Sequence, residues 1–179
     1  MKNKNKLIII ISIILLGCKT DNFYDTERIL STNKTEYEIG ENFELTLKIS
    51  TKELKKEIRV YENYKNLEIS FSLVNEKENV QNEDWSKNST ELSNETKINE
   101  IEIGNGKPFQ KTFTGKISEF KNEIELNIAE LNLTAKFPKE KLKNGTKIKI
   151  HGFCNPINPE FGASLEEYFE VVEIKVKTE

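Results

Sequence analysis

Cysteine is nearly missing from this chain of 179 residues: it has two, with one histidine and one tryptophan. One His and two Cys cannot assemble a structural zinc cluster or a disulfide framework. Four Pro and eight Gly are too few for a collagenous or linker-dominated architecture. A large excess of one charge is also lacking, with 27 Lys and Arg against 30 Asp and Glu, so the basic footprint of a nucleic-acid binder is absent. No cofactor is implied. The length suits one domain.

The N-terminus is built differently from the rest. Lys2, Lys4 and Lys6 form a basic start, and an apolar run follows from Leu7 to Leu16, interrupted only by Ser12. Ten residues of helix reach about 15 Å, half of a ~30 Å hydrocarbon core. The pattern is that of a signal-peptide hydrophobic region rather than a membrane span. It ends in Leu15-Leu16-Gly17-Cys18, which resembles the lipobox of bacterial lipoproteins. The resemblance implies cleavage before Cys18, a diacylglycerol on its sulfur and an acylated new amine. Residues 1–17 are then a signal peptide, and several acyl chains make a durable anchor where one is marginal.

Loss of the three N-terminal lysines leaves 24 basic against 30 acidic residues. A mature chain near −6 disfavours an electrostatic role on anionic lipid or nucleic acid. Lys19 stands where Asp favours inner-membrane retention in many Gram-negative bacteria. Lys19-Thr20-Asp21 is similar to the charged export signals of surface lipoproteins of Bacteroidetes-type bacteria. The expected address is the outer membrane, on either the periplasmic or the outward face. Residues 18–28 carry no periodic pattern and read as a tether, with the folded body over 29–179.

That body reads as strands. Phe43, Leu45, Leu47 and Ile49 alternate with polar residues, as do Leu67, Ile69, Phe71 and Leu73, and strict period two marks a strand with one buried face. Shorter alternations occur at Ile58/Val60, Ile101/Ile103, Ile148/Ile150 and Ile174/Val176. Gly40, Gly104, Gly106, Gly115 and Gly145 read as punctuation between strands. The stretch 117–135 fits both a helical stripe and two strands. Strands are favoured, because Leu126 and Leu133 fall off the stripe. Pro138 to Lys143, followed by Asn144-Gly145, reads as one short helical turn, and Tyr168 to Val176 as the closing strand. Regularly spaced short strands predict an all-β antiparallel sandwich. Glu36 to Asn42 before an alternating strand resembles the opening of bacterial immunoglobulin-like domains, which implies that fold for the body.

Chemistry-bearing residues are sparse. Residues 76–97 are polar and separate two strand patterns, which reads as a long loop with Trp85 at its centre. An aromatic there can stack on a sugar ring or anchor a protein. Its bland reading is a side chain docking the loop onto the body. Tyr61 and Tyr64 are the other candidate binding residues. The connection from Asn155 through Gly162-Ala163 joins the Trp85 loop as a candidate contact surface. His151 and Cys154 are the one pair resembling a base and a nucleophile, but three residues apart on a strand they face opposite ways. The acidic clusters lack the Gly-turned spacing of a calcium loop and read as solvated faces.

The expectation is a lipid-anchored, non-catalytic binding or scaffold lipoprotein that contacts a protein or glycan through its loops. The alternative is an inhibitor or immunity lipoprotein that blocks a secreted enzyme or toxin.

Overall fold

The structure is a computed structural model. It describes residues 23, 25–75, 80–87, 96–143, 145–157 and 167–178, with only the backbone of 80–87 and 167. Cys18 and the lipobox-like stretch Leu15–Cys18 lie outside the described residues.

Two sheets, antiparallel except at one edge of the second, pack face to face. The first contains β1 (Thr26–Thr32), β3 (Asn42–Thr51), β8 (Phe109–Phe120), β9 (Glu123–Ile128) and β10 (Leu133–Pro138), side by side in that order. The second orders β2 (Glu36–Glu38), β13 (Val172–Lys177), β11 (Lys147–Cys154), β5 (Leu67–Asn75) and β6 (Val80–Lys87), with β12 (Glu167–Tyr168) added to the end of β11. β4 (Lys56–Tyr61) and β7 (Ile98–Ile103) pair as a separate two-stranded ribbon, whose Ile58, Val60 and Ile103 are buried in the common core. β2 pairs with β13 in parallel.

This is a β-sandwich. In the second sheet, β13-β11-β5 has the G-F-C order of immunoglobulin-like sandwiches, and β6 occupies the adjoining position. The first sheet differs in detail. Beyond β3 it runs outward as a meander of β8, β9 and β10, where an immunoglobulin constant domain has E followed by the earlier strand D.

The alternating residues make the core. Phe43, Leu45, Leu47 and Ile49 are sealed from solvent against Leu67, Ile69, Phe71, Ile148 and Ile150. The stretch 117–135 is strand. β8 ends at Phe120, β9 and β10 follow, and Leu126 and Leu133 are both buried. A 3-10 turn at Ala129–Leu131 joins β9 to β10, and a second at Lys139–Leu142 matches the expected short helical turn.

Four expectations are corrected. The tether does not extend to residue 28, because Phe23 is buried and β1 begins at Thr26. Residues 76–97 are not one long loop. Val80–Lys87 is a strand on β5, which needs backbone pairing and no apolar alternation. Gly115 is not a turn residue: it lies inside β8 opposite Phe43. A Cβ there would come within 2.2 Å of the Phe43 ring, so glycine makes room for that ring. The Tyr168–Val176 strand is divided into β12, on the end of β11, and β13.

Candidate functional site

The site is built on β11 and β5, the central pair of the second sheet. Along β11, Ile148, Ile150, Gly152 and Cys154 point into the sandwich. Lys149, His151 and Phe153 therefore point outward. The register places Phe153 opposite Glu68, His151 opposite Ser70 and Lys149 opposite Ser72. The outer face of these strands is a row of hydroxyls beside an imidazole and a phenyl ring.

β12 completes it. Tyr168 is the partner of Phe153. Their rings meet edge to face at 5.2 Å between centroids, a favoured aromatic geometry. Phe153 is itself buried, while Tyr168 is 62% exposed. His151 lies parallel to Phe153 at 6.5 Å and shares a hydrogen bond of 3.1 Å between its Nε2 and Ser72 Oγ. Burial, and then the charge of Lys149, hold the His151 pKa below its ordinary value, so the ring is neutral at pH 7. Ser70 is sealed from solvent, and its Oγ has no hydrogen-bond partner among the described residues.

Two local features set the position of Tyr168. A side chain at Gly152 would reach within 2.8 Å of the Phe169 ring. Glycine there lets Phe169 fold inward, with its N–H donating to the Gly152 carbonyl at 2.9 Å, and alternation then turns Tyr168 outward. Arg28 holds the same strand from the other side. Its Nε donates to the Tyr168 carbonyl at 3.0 Å, and its Nη1 donates to the carbonyls of Phe23 and Thr26.

The residues singled out in the sequence are only partly gathered. Trp85 lies on β6, whose pairing with β5 shifts register between Phe71 and Leu73; its side chain is outside the described residues. Tyr61 and Tyr64 share one turn, closed by Tyr64 N–H donating to the Tyr61 carbonyl at 2.9 Å. The Tyr64 ring is already engaged. It packs edge to face on Phe113 at 5.3 Å, with the Lys111 ammonium 4.7 Å from its centroid. Burial lowers the Lys111 pKa, but bonding to Glu130 and the neighbouring Tyr64 outweigh it and hold the amine above its ordinary value. Tyr61 is half-buried at the end of β4. Of the Asn155–Ala163 connection only 155–157 are described; Asn155 N–H donates to the Asn66 carbonyl at 2.9 Å.

His151 and Cys154 lie on opposite faces of the sheet, with Cys154 sealed in the core. They cannot act as a dyad. Among the described residues no three acids, His or Cys group to hold a metal ion.

Sequence reading missed Phe153, Tyr168 and the two serines. Their sole local trace is the outward parity of His151 and Phe153 on an alternating strand.

No protein-family model matches this chain, and no curated protein matches it. Among solved structures it is similar to the sporulation control protein Spo0M from Bacillus subtilis, at 11% identity and a TM-score of 0.43. The match covers 86% of this chain and 49% of that one, so the chain spans about half the length of that protein.

Proposed function

We propose that this chain is a lipid-anchored, non-catalytic binding lipoprotein of the bacterial outer membrane, and that it contacts a protein or glycan with the outer face of its six-stranded sheet. One observation carries the reading. An exposed Tyr168 ring rests on a buried Phe153, beside a neutral His151 and the serine hydroxyls of β5. An apolar plane rimmed by hydrogen-bonding groups on rigid strands suits stacking and directional recognition. The Leu15–Cys18 lipobox supports the anchor.

Two experiments test this. Purified domain is titrated against a panel of cell-envelope glycans and surface proteins. For a true ligand, Tyr168→Ala lowers affinity at least about tenfold and Thr112→Ala, on the opposite sheet, leaves it unchanged. Equal affinity in both variants removes the site. Protease shaving of intact cells, with Cys18→Ala as the unanchored control, then assigns the membrane face: digestion means the outer surface, and protection until the membrane is opened means the periplasmic side.

A further inference from the structure

The loop between β3 and β4 carries the most exposed large apolar side chain among the described residues. Leu54 is 79% exposed. The backbone holds it out. A Cβ at Gly104, whose φ is +125°, would lie 2.6 Å from the Leu54 carbonyl oxygen. The two segments touch backbone to backbone, and only glycine permits that approach. The Gly104–Lys107 turn behind them is closed by hydrogen bonds of 3.1 and 2.8 Å.

This loop stands where the chain enters the domain. Thr26 pairs with Thr51, and Thr51 Oγ1 donates to the Asp25 carbonyl at 3.3 Å. Asp25 to Glu27 and Thr51 to Glu53 face each other across a surface hollow of about 570 Å3. Phe23 is buried, so the chain is fixed to the body by that residue. From Cys18 to Phe23 there are five residues, which span at most about 17 Å when fully extended. That is little more than the roughly 5–8 Å headgroup layer of one leaflet plus a few residues of chain.

We propose that Leu54 is a membrane-contact tip: the entry end of the sandwich rests on the phospholipid leaflet that holds the protein's own acyl chains, with Leu54 in the interfacial layer. This rests on acylation of Cys18. Charge does not drive the contact, because Lys55 is paired with Glu102, and Lys56 with Glu53 at 3.2 Å. The apolar side chain meets the leaflet, and the exposed stem of Lys55 lies along it. β8 spans twelve residues, so its far end at Phe120 stands roughly 40 Å away.

The test uses the full chain isolated from its own membranes and reconstituted in vesicles of phosphatidylethanolamine and phosphatidylglycerol. A bimane probe is placed at Leu54→Cys or, as the control, at Phe120→Cys. Phe120 is also apolar and is 54% exposed, but it lies at the other end. Cys154 is buried and stays unlabelled. Quenching by lipids carrying a nitroxide near the headgroup is expected to be at least about threefold stronger at position 54 than at 120. Equal quenching in a chain that carries its lipid by mass and floats with the vesicles overturns the contact alone. A chain without the lipid mass, which labels at Cys18 and does not float, overturns the anchor and the contact together.

Discussion

The outer faces of the two sheets obey different rules. On the five-stranded sheet the outward residues of β3, β8 and β10 are wet: Glu44, Thr112, Thr114, Lys116, Thr134 and Lys136 are all exposed. They pair across strands, as in the 2.8 Å contact of the Thr46 and Thr112 hydroxyls and the Lys136–Glu125 ion pair at 2.7 Å. On the six-stranded sheet the corresponding positions of β5 and β11 include buried Ser70, Ser72 and Phe153. An antiparallel sheet can leave one face to water, and the first sheet does. The second spends hydroxyls, an imidazole and an aromatic ring on positions where solvation alone would need only charge. Burial on the side away from the core, with a hydroxyl that has no partner among the described residues, supports the proposed reading of this face as a binding surface.

The largest test of this contrast is a pair of truncations. Phe153→Ala is expected to cost about 2–4 kcal/mol, slightly under a core Phe→Ala because the ring lies on the outer face. Thr112→Ala, at a matching outward position of the other sheet, loses only an exposed bond to Thr46 and is expected to cost no more than about 1 kcal/mol. Urea denaturation of both variants measures the difference, and similar losses would erase the distinction between the faces. Next in size is Gly115→Ala. It pushes a methyl into the Phe43 ring, which also packs edge to face on Tyr37 at 6.2 Å. Overpacking of this kind costs about 1–3 kcal/mol. A neutral result would mean that the Phe43 ring moves aside freely and that the inner face is looser than its burial implies.

How much of this was legible in the sequence follows from what kind of force made each element. Phe43–Ile49 and Leu67–Leu73 were plain, because one-sided burial writes period two directly into the residues. The strands at 117–135 were recoverable because only they kept Leu126 and Leu133 inside. β6 was not: Val-Gln-Asn-Glu-Asp-Trp-Ser-Lys carries no alternation, and an edge strand is held by backbone hydrogen bonds that any residue but proline can make. Gly115 was misread because the ring that needs its empty side lies 72 positions earlier in the chain. The site was mostly hidden for the same reason. Ser70 and Ser72 look like ordinary outward residues, and β11, the strand they pair with, lies nearly 80 positions later. His151 and Phe153 could be assigned to the outward face by parity, but not their company with Tyr168.

A smaller effect sharpens the comparison at one atom. Ser70 Oγ is buried without a partner among the described residues, and on that geometry the folded state loses its hydration and gains no bond. Removing such a group is expected to be neutral or to stabilise by up to about 1 kcal/mol. Ser72→Ala, which breaks the bond to His151, is expected to destabilise by a similar amount. Opposite signs at two neighbouring serines in the same denaturation series support a face partly assembled for a ligand. A destabilising Ser70→Ala would show that this hydroxyl has a structural role instead.

The smallest expected effect is a dependence on pH. Burial, followed by the charge of Lys149, depresses the His151 pKa in the folded chain. The unfolded chain then binds the proton more readily. The neutral ring's contribution is fully present above the ordinary histidine pKa of about 6.5, and it is lost as pH falls through the lower folded value. Denaturation midpoints between pH 7.5 and 5.5 should therefore decline on acidification, and His151→Gln should flatten that decline while leaving the carboxylate-driven loss at lower pH in place. A decline of unchanged slope in His151→Gln would mean that the imidazole is solvated well enough to titrate freely, and the contrast between a wet face and a dry one would then fail at its central residue.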